Sequence, residues 1–192
     1  MTTGRILVVC TGNICRSPVA EALLSNGLAD RDLTVRSAGT EAMLGYPPVP
    51  EAKDFIDAFL GGFAFHLGEQ LDKQLIEHAD LVLTMTEEHR TFTVQLVPRA
   101  VRRTFTMLEF ARMVRSLDRA GPFEDLPALV RACAPLRRQH ATPGTPSDIP
   151  DPIGRPSAAY AHSFSLVAQA CSHIVDSLIT HLPSRPPAVD QV

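Results

Sequence analysis

The sequence predicts an α/β fold, a three-layer sandwich in which a four-stranded parallel sheet is flanked by helices. Three observations carry this expectation. Short apolar runs rich in β-branched residues, at 6–9, 33–37, 81–84 and 103–107, alternate with longer stretches of helical period. The first run passes through Cys10 into a Gly-Asn loop and then into Ser17-Pro18, a strand–loop–helix unit of the kind that carries ligands beyond the carboxyl ends of parallel strands. With 192 residues, 45% of them hydrophobic, the chain can bury one sizeable core. Residues 1–182 are therefore read as a single domain with an extension at about 118–147, and residues 183–192 as a disordered tail.

Each element has its own signal. Residues 6–9 read as a buried strand, which Cys10 ends. Gly12 and Asn13 tolerate unusual backbone angles. Ser17 suits an N-cap, Pro18 the first helical position, and Glu21 a loose capping pattern, so a helix is expected over 18–29 with Val19, Ala22 and Leu23 inward. Residues 33–37 form the second strand, and 44–50, with three prolines and a glycine, a loop. A helix over 51–60 places Phe55, Ala58 and Phe59 on one side, and Gly61-Gly62 stops it. An irregular link containing His66 leads to a helical turn near 73–78 and the third strand, 81–84. A helix over 88–96 ends before Pro98, and Thr104-Phe105-Thr106 is the fourth strand. The helix over 108–117 turns Phe110, Met113, Val114 and Leu117 inward. Residues 126–140 can be helical, with Pro135 kinking or ending the run. After a proline-rich loop at 142–152, the longest helix covers 158–181, and its stripe of Phe164, Val167, Ala168, Cys171, Ile174, Val175 and Leu178 should pack on the sheet.

The chemistry concentrates between Cys10 and Pro18. Main-chain N–H groups of a tight loop, aimed inward at the positive end of a helix, make an anion cradle. Cys10 lies at its base and Arg16 at its rim. Positive charge and a helix N-terminus favour the thiolate form of a cysteine, and the same field attracts a phosphate dianion. Arg16 offers a planar, permanently charged fork for two phosphate oxygens. Nucleophile, binding site and charge stabilisation thus come together, and a phosphorylated cysteine is the expected intermediate. The plain alternative is a buried strand-end thiol near a surface arginine. The strand before, Gly-Asn within and Ser-Pro after favour the cradle. Ester hydrolysis also needs a proton donor, for which Asp148 and Asp151, on a loop stiffened by Pro150 and Pro152, are candidates. Cys15, inside the same loop, could trap an oxidised Cys10 as a disulfide or simply fill space beneath the loop.

The stretch Cys10-Thr11-Gly12-Asn13-Ile14-Cys15-Arg16-Ser17-Pro18 resembles the signature loop of the low-molecular-weight protein tyrosine phosphatases. Ser37-Ala38-Gly39-Thr40, Asp80-Leu81-Val82-Leu83-Thr84-Met85 and Asp148-Ile149-Pro150-Asp151-Pro152 resemble further segments of that family, in its order, whereas residues 111–145 do not fit it well. The resemblance implies catalysis by Cys10, Arg16 and Asp151, the aspartate directly before proline. It implies phosphate binding by Thr11, Gly12, Asn13, Ile14, Cys15 and Ser17, and support of the loop by Ser37 and by His66 acting on Asn13. The implied enzyme is a phosphomonoesterase that hydrolyses phosphotyrosine in proteins, or a small aryl phosphate, without cofactor or metal, as a monomer or weak homodimer. Four positions differ from some or all members of the family, and one of them, Ile14, argues for the tyrosine-type pocket. Glu69 stands where a basic residue often follows the histidine, Ile153 and Gly154 replace an aromatic pair of many eukaryotic members, and Ile14 replaces the threonine of members that act on phosphoarginine. A protein arginine phosphatase, an arsenate reductase-like enzyme and a non-catalytic phosphate-binding module are the alternatives. The reductases relay electrons through two further cysteines, but Cys133 and Cys171 are far apart in sequence and the stretch after Met85 has none. A binding module would need neither thiol nor acid.

Composition bounds the partners. A net charge of −3 gives no strong bias toward nucleic acid or acidic membranes. No apolar run approaches a membrane span, and the first residues lead into a strand without a signal-peptide core. The four cysteines have neither paired nor metal-ligand spacing, and a thiolate nucleophile suits a reducing cytoplasm. Residues 99–138 hold nine arginines, no lysine and four acidic residues, which reads as a solvated helix face.

Overall fold

Parallel pairing orders the four strands β2-β1-β3-β4 in the computed structural model, which describes residues 4–62, 66–117, 121–140, 144 and 146–184. The strands are β1 (Gly4–Cys10), β2 (Leu33–Gly39), β3 (Leu81–Thr84) and β4 (Thr104–Thr106). Cys10 pairs with Gly39 and Val9 with Thr84, so β1, β2 and β3 finish together at one edge of the sheet. Side chains of a strand alternate between faces. Ile6, Val8 and Cys10 accordingly enter one apolar cluster, and Leu7 and Val9 the other. The first cluster is covered by α1 (Arg16–Gly27), α5 (Met107–Arg115) and α8 (Ser157–His181), with α2 (Pro50–Leu60) and α6 (Leu126–Cys133) beside them. The second lies under α3 (Lys73–His78) and the end of α4 (Glu87–Leu96), which runs into a 3-10 turn, Pro98–Arg102. These are the three layers expected, and burial on both faces explains the unbroken apolar run of β1.

Several local expectations need correction. Helix α1 begins at Arg16, two residues earlier than its capping signals suggest. Cys15 occupies the N-cap without a side-chain cap bond, and Ser17 is buried inside the first turn. The leading N–H groups of this helix border the loop, so the serine hydroxyl is spent elsewhere. In α1 the inward residues are Val19, Ala20, Ala22 and Leu24, and Leu23 is half-buried. Helix α2 buries Ala52 and Ile56, one turn apart, rather than Phe55, Ala58 and Phe59. It packs at the margin of the core, so a narrow stripe suffices. Phe59 stays exposed and stacks on Phe55 (4.7 Å between rings), which itself reaches Phe164. Helix α8 packs against α1 and α5 through Phe164, Val167, Cys171, Ile174 and Leu178, with Ala168 and Val175 half-buried. Pro135 ends α6: a 3-10 turn (Ala134–Leu136) separates it from α7 (Arg137–His140).

The basic stretch is not simply a solvated face. Arg137 donates to Glu109 and to the carbonyls of Val101 and Thr104, and lies 4.4 Å over the Phe105 ring. Arg103 donates to the Ile76 carbonyl and Arg112 to that of Pro146. These guanidinium groups tie loops and the extension to the sheet, while Arg115, Arg131 and Arg138 are exposed. Residues 118–120, 141–143 and 145 of the extension, and 185–192 of the expected disordered tail, lie outside the described residues. Ser184, near the tail's start, accepts a hydrogen bond from Arg31. Among the described residues no helix is long and apolar enough to cross a membrane.

Candidate active site

The loop at the end of β1 is held from outside by its carbonyls. Thr40 N–H donates to the Cys10 carbonyl, Glu41 to Thr11, Met43 to Gly12 and Val49 to Ile14, at 2.8–3.0 Å. His66 Nε2 donates to the Asn13 carbonyl at 2.9 Å. Five successive carbonyls thus point away, which leaves the N–H edge of the loop to the cradle and to the start of α1. Two glycines let the surrounding chain come this close. A Cβ on Gly39 would sit 2.3 Å from the Thr11 carbonyl oxygen, and one on Gly68 2.2 Å from that of Met43.

Among the described residues Asn13 alone carries a positive φ without being glycine (54°). That conformation costs a side-chain-bearing residue roughly 1–2 kcal/mol. It is offset by three side-chain bonds: Nδ2 donates to Ser17 Oγ (2.9 Å) and Ser37 Oγ (2.8 Å), and Oδ1 accepts the Glu69 N–H (2.8 Å). Gly12 takes up no positive φ, and a Cβ there would make only ordinary contacts. Ser37 Oγ donates to Glu21 at 2.6 Å, and Glu21 also lies 3.3 Å from His66 Nδ1. Burial opposes charge on His66, but the Glu21 hydrogen bond, the Asn13 carbonyl and the charges of Glu21 and Glu69 outweigh it and raise its pKa. Glu21 is therefore the acidic end of the floor network rather than a helix cap. Glu69 supports the loop through its main chain, while its carboxylate pairs with Arg36.

Cys10 is buried at the base. Its Sγ accepts the Asn13 N–H at 3.3 Å and lies 2.9 Å from Ser17 Oγ. Because Asn13 already donates to that oxygen, the serine proton is free to go to sulfur. Cys15 is also buried, and burial, followed by charge on Cys10, pushes its thiol up to about 12. All four cysteines are free.

Arg16 forms the rim. Although buried, it donates from Nη1 to the Ile149 carbonyl (3.0 Å) and from Nη2 to Thr11 Oγ1 (3.3 Å) and to Asp151. Asp151 also accepts the Ile153 N–H, and its loop is tied to the end of β3 by Ile149 N–H donating to the Met85 carbonyl. Asp148 turns away and accepts the Glu87 N–H at the start of α4. Of the two candidate carboxylates, only Asp151 touches the loop.

Two groups of residues escaped the sequence reading. His89, in the first turn of α4, lies 2.9 Å from Thr11 Oγ1 through Nε2 and 2.8 Å from Thr86 Oγ1 through Nδ1. Burial first, then the Arg16 charge, hold its pKa down to about 4, against Asp151 and Asp148. Its signal was Thr86-x-x-His89 directly after a buried strand ending at the same sheet edge as Cys10. The second group is apolar. Met43, Leu44, Tyr46 and Leu67 are exposed, Met43 lies over Gly12, and the strap that carries the first three is bonded to the loop. Its sequence signalled only a proline-rich turn.

A buried thiol under a carbonyl-out loop, with a helix N-terminus behind and a guanidinium at the edge, is built to receive a tetrahedral oxyanion. The chain belongs to the low molecular weight phosphotyrosine protein phosphatase family, whose model matches residues 5–134. The match runs well into the segment that the motif comparison left unfitted and stops before Asp151. A low molecular weight protein-tyrosine-phosphatase, Ptp, of Acinetobacter johnsonii is 37% identical over 102 residues, 53% of this chain and 70% of that protein. A protein-arginine-phosphatase of Geobacillus stearothermophilus is 41% identical over 119 residues, 62% of this chain and 78% of that one. The solved structure of the YwlE arginine phosphatase from the same organism superposes with a TM-score of 0.70 at 32% identity, covering 92% of this chain and 94% of the other. The chain is thus a hydrolase of the protein phosphatase class.

Proposed function

We propose that this enzyme hydrolyses phosphotyrosine in proteins through a cysteinyl-phosphate. The observation that carries the reading is the contact of Arg16 with Asp151 at the loop that begins at Cys10. A phosphate dianion competes for the Arg16 fork and releases the carboxyl group toward the leaving oxygen. The Cys10 thiolate then attacks phosphorus, the P–O bond to the phenol breaks, and the Asp151 carboxyl gives its proton to the phenol oxygen. In the second step water attacks phosphorus, its proton passes to the Asp151 carboxylate, the S–P bond breaks and inorganic phosphate leaves. Main-chain N–H groups and Arg16 carry the equatorial charge throughout. The apolar rim of Met43, Leu44 and Tyr46 suits a phenyl ring. A reducing cytoplasm suits the thiol, phosphorylated proteins are the partners, and a monomer or weak homodimer of the single domain 1–182 suffices.

Turnover of phosphotyrosine, phosphoserine and phosphoarginine peptides tests the reading, with phosphotyrosine expected to dominate. Asp151→Asn should slow phosphotyrosine far more than p-nitrophenyl phosphate, because a phenol of pKa about 10 leaves poorly without a proton. Asp148→Asn should not discriminate between them. The reverse pattern would move the acid to Asp148, and turnover by Cys10→Ser would remove the nucleophile assignment. Phosphoarginine hydrolysis is the second reading, since the Geobacillus stearothermophilus relative and solved structure carry that name. Ile14, where the arginine-directed members have threonine, weighs against it, and Ile14→Thr should shift turnover toward phosphoarginine.

A further inference from the structure

One buried side chain at the rim has no part in that chemistry. His89 lies between two hydroxyl groups, and one placement of its protons satisfies both contacts together with the bonds those hydroxyls already make. Thr86 Oγ1 already accepts the main-chain N–H of His89 at 3.2 Å, so its own proton is free to go to Nδ1, 2.8 Å away. A ring that accepts at Nδ1 carries its proton on Nε2, which then donates to Thr11 Oγ1 at 2.9 Å. The same oxygen accepts from Arg16 Nη2 at 3.3 Å. Both of its lone pairs are then occupied, and the single Thr11 proton has neither neighbour to go to.

We propose that His89 is a positioning residue for the phosphatase reaction: as the neutral Nε2–H tautomer it locks the Thr11 hydroxyl as a hydrogen-bond donor to an oxygen of the phosphate ester, beside the Arg16 fork. The proposal rests on the function given above. The other tautomer would need Thr11 to donate into the ring, which leaves no proton for a phosphate oxygen. An imidazolium would put a second cation against Arg16 in a buried site. The groups facing the ring favour the neutral form: burial and Arg16 outweigh Asp151 and Asp148 and hold its pKa down to about 4. The relay also joins the first turn of α4 to the loop, and Asp148 is bonded to the same turn through Glu87. Cradle, acid loop and helix therefore share one anchor.

The first test is independent of turnover. Nitrogen-15 shifts of the His89 ring in the intact enzyme at neutral pH should report a neutral imidazole protonated on Nε2; protonation on Nδ1, or on both nitrogens, overturns the proposal. The second is a double-mutant cycle with His89→Phe and Thr11→Val. Each single variant should lose about tenfold in kcat for a phosphotyrosine peptide, the scale of one hydrogen bond to a charged group, with a smaller change in KM. The double variant should be no worse than Thr11→Val. His89→Gln, whose amide can still donate to Thr11, should recover most of the loss, and thermal unfolding of each variant reports whether it folds. Additive losses, or no recovery by His89→Gln in a folded protein, overturn the proposal. Vanadate affinity through the same cycle separates this idea from the phosphatase reading. An inactive parent enzyme whose vanadate binding still couples His89 to Thr11 sinks the function and keeps the relay. An active parent with no coupling does the opposite.

Discussion

Two histidines brace the same loop from opposite flanks, and their surroundings push their pKa values in opposite directions. On the floor side, His66 bonds the Asn13 carbonyl and leans on Glu21, whose charge raises its pKa. On the rim side, His89 bonds Thr11 beside Arg16, and burial with that cation holds its pKa down to about 4. The difference follows from what each flank faces. The floor must hold a carbonyl outward, and the Glu21 carboxylate beside His66 favours the donor's charged form. The rim already contains the Arg16 guanidinium, so a second positive charge there would be repelled.

The largest effect should come from removing the floor's hub. Asn13→Ala deletes three side-chain bonds but keeps the positive φ, so unfolding in urea should show a loss of about 3 kcal/mol or more, together with loss of turnover. An unchanged midpoint would show that the carbonyl bonds alone hold the loop.

Glu21→Gln should come next. It removes the carboxylate that accepts the Ser37 hydrogen bond and raises the His66 pKa. In an NMR titration the His66 midpoint should move down toward its ordinary value, while His89 stays near 4. If both midpoints moved, the flanks would be one coupled system rather than two.

The pH dependence of stability sharpens the contrast further. His66 has a raised folded pKa, so its contribution is complete below its unfolded value of about 6.5 and is lost as pH rises through the folded one. His89 has a depressed folded pKa, so its contribution is present above about 6.5 and is lost as pH falls toward 4. Chemical denaturation across pH should find His66→Gln flattening the alkaline limb and His89→Gln the acid limb. The smallest effect belongs to Gly12→Ala, under about 1 kcal/mol, because Gly12 needs no positive φ and has room for a methyl group. Gly39→Ala, with a main-chain oxygen 2.3 Å from the new carbon, should be far worse in the same assay.

The sequence by itself determined the layering and the strand–loop–helix unit, because both rest on local signals: apolar period, β-branched runs, and Gly-Asn and Ser-Pro punctuation within a few residues of one another. It also marked Asp148 and Asp151 as a pair on one stiff loop. Tertiary structure alone decided which of them meets Arg16, since that depends on Ile149 bonding the end of β3, more than sixty residues back in the chain. Glu21 looked like a helix cap because capping is a local pattern, and only the approach of Ser37 and His66 made it a partner of both. His89 was silent for the same reason. A histidine three residues after a threonine is unremarkable until β3 sets it beside Thr11 and Arg16, where burial and a neighbouring cation lower its pKa. Spacing along a chain reports elements, but charge state depends on what crosses in space.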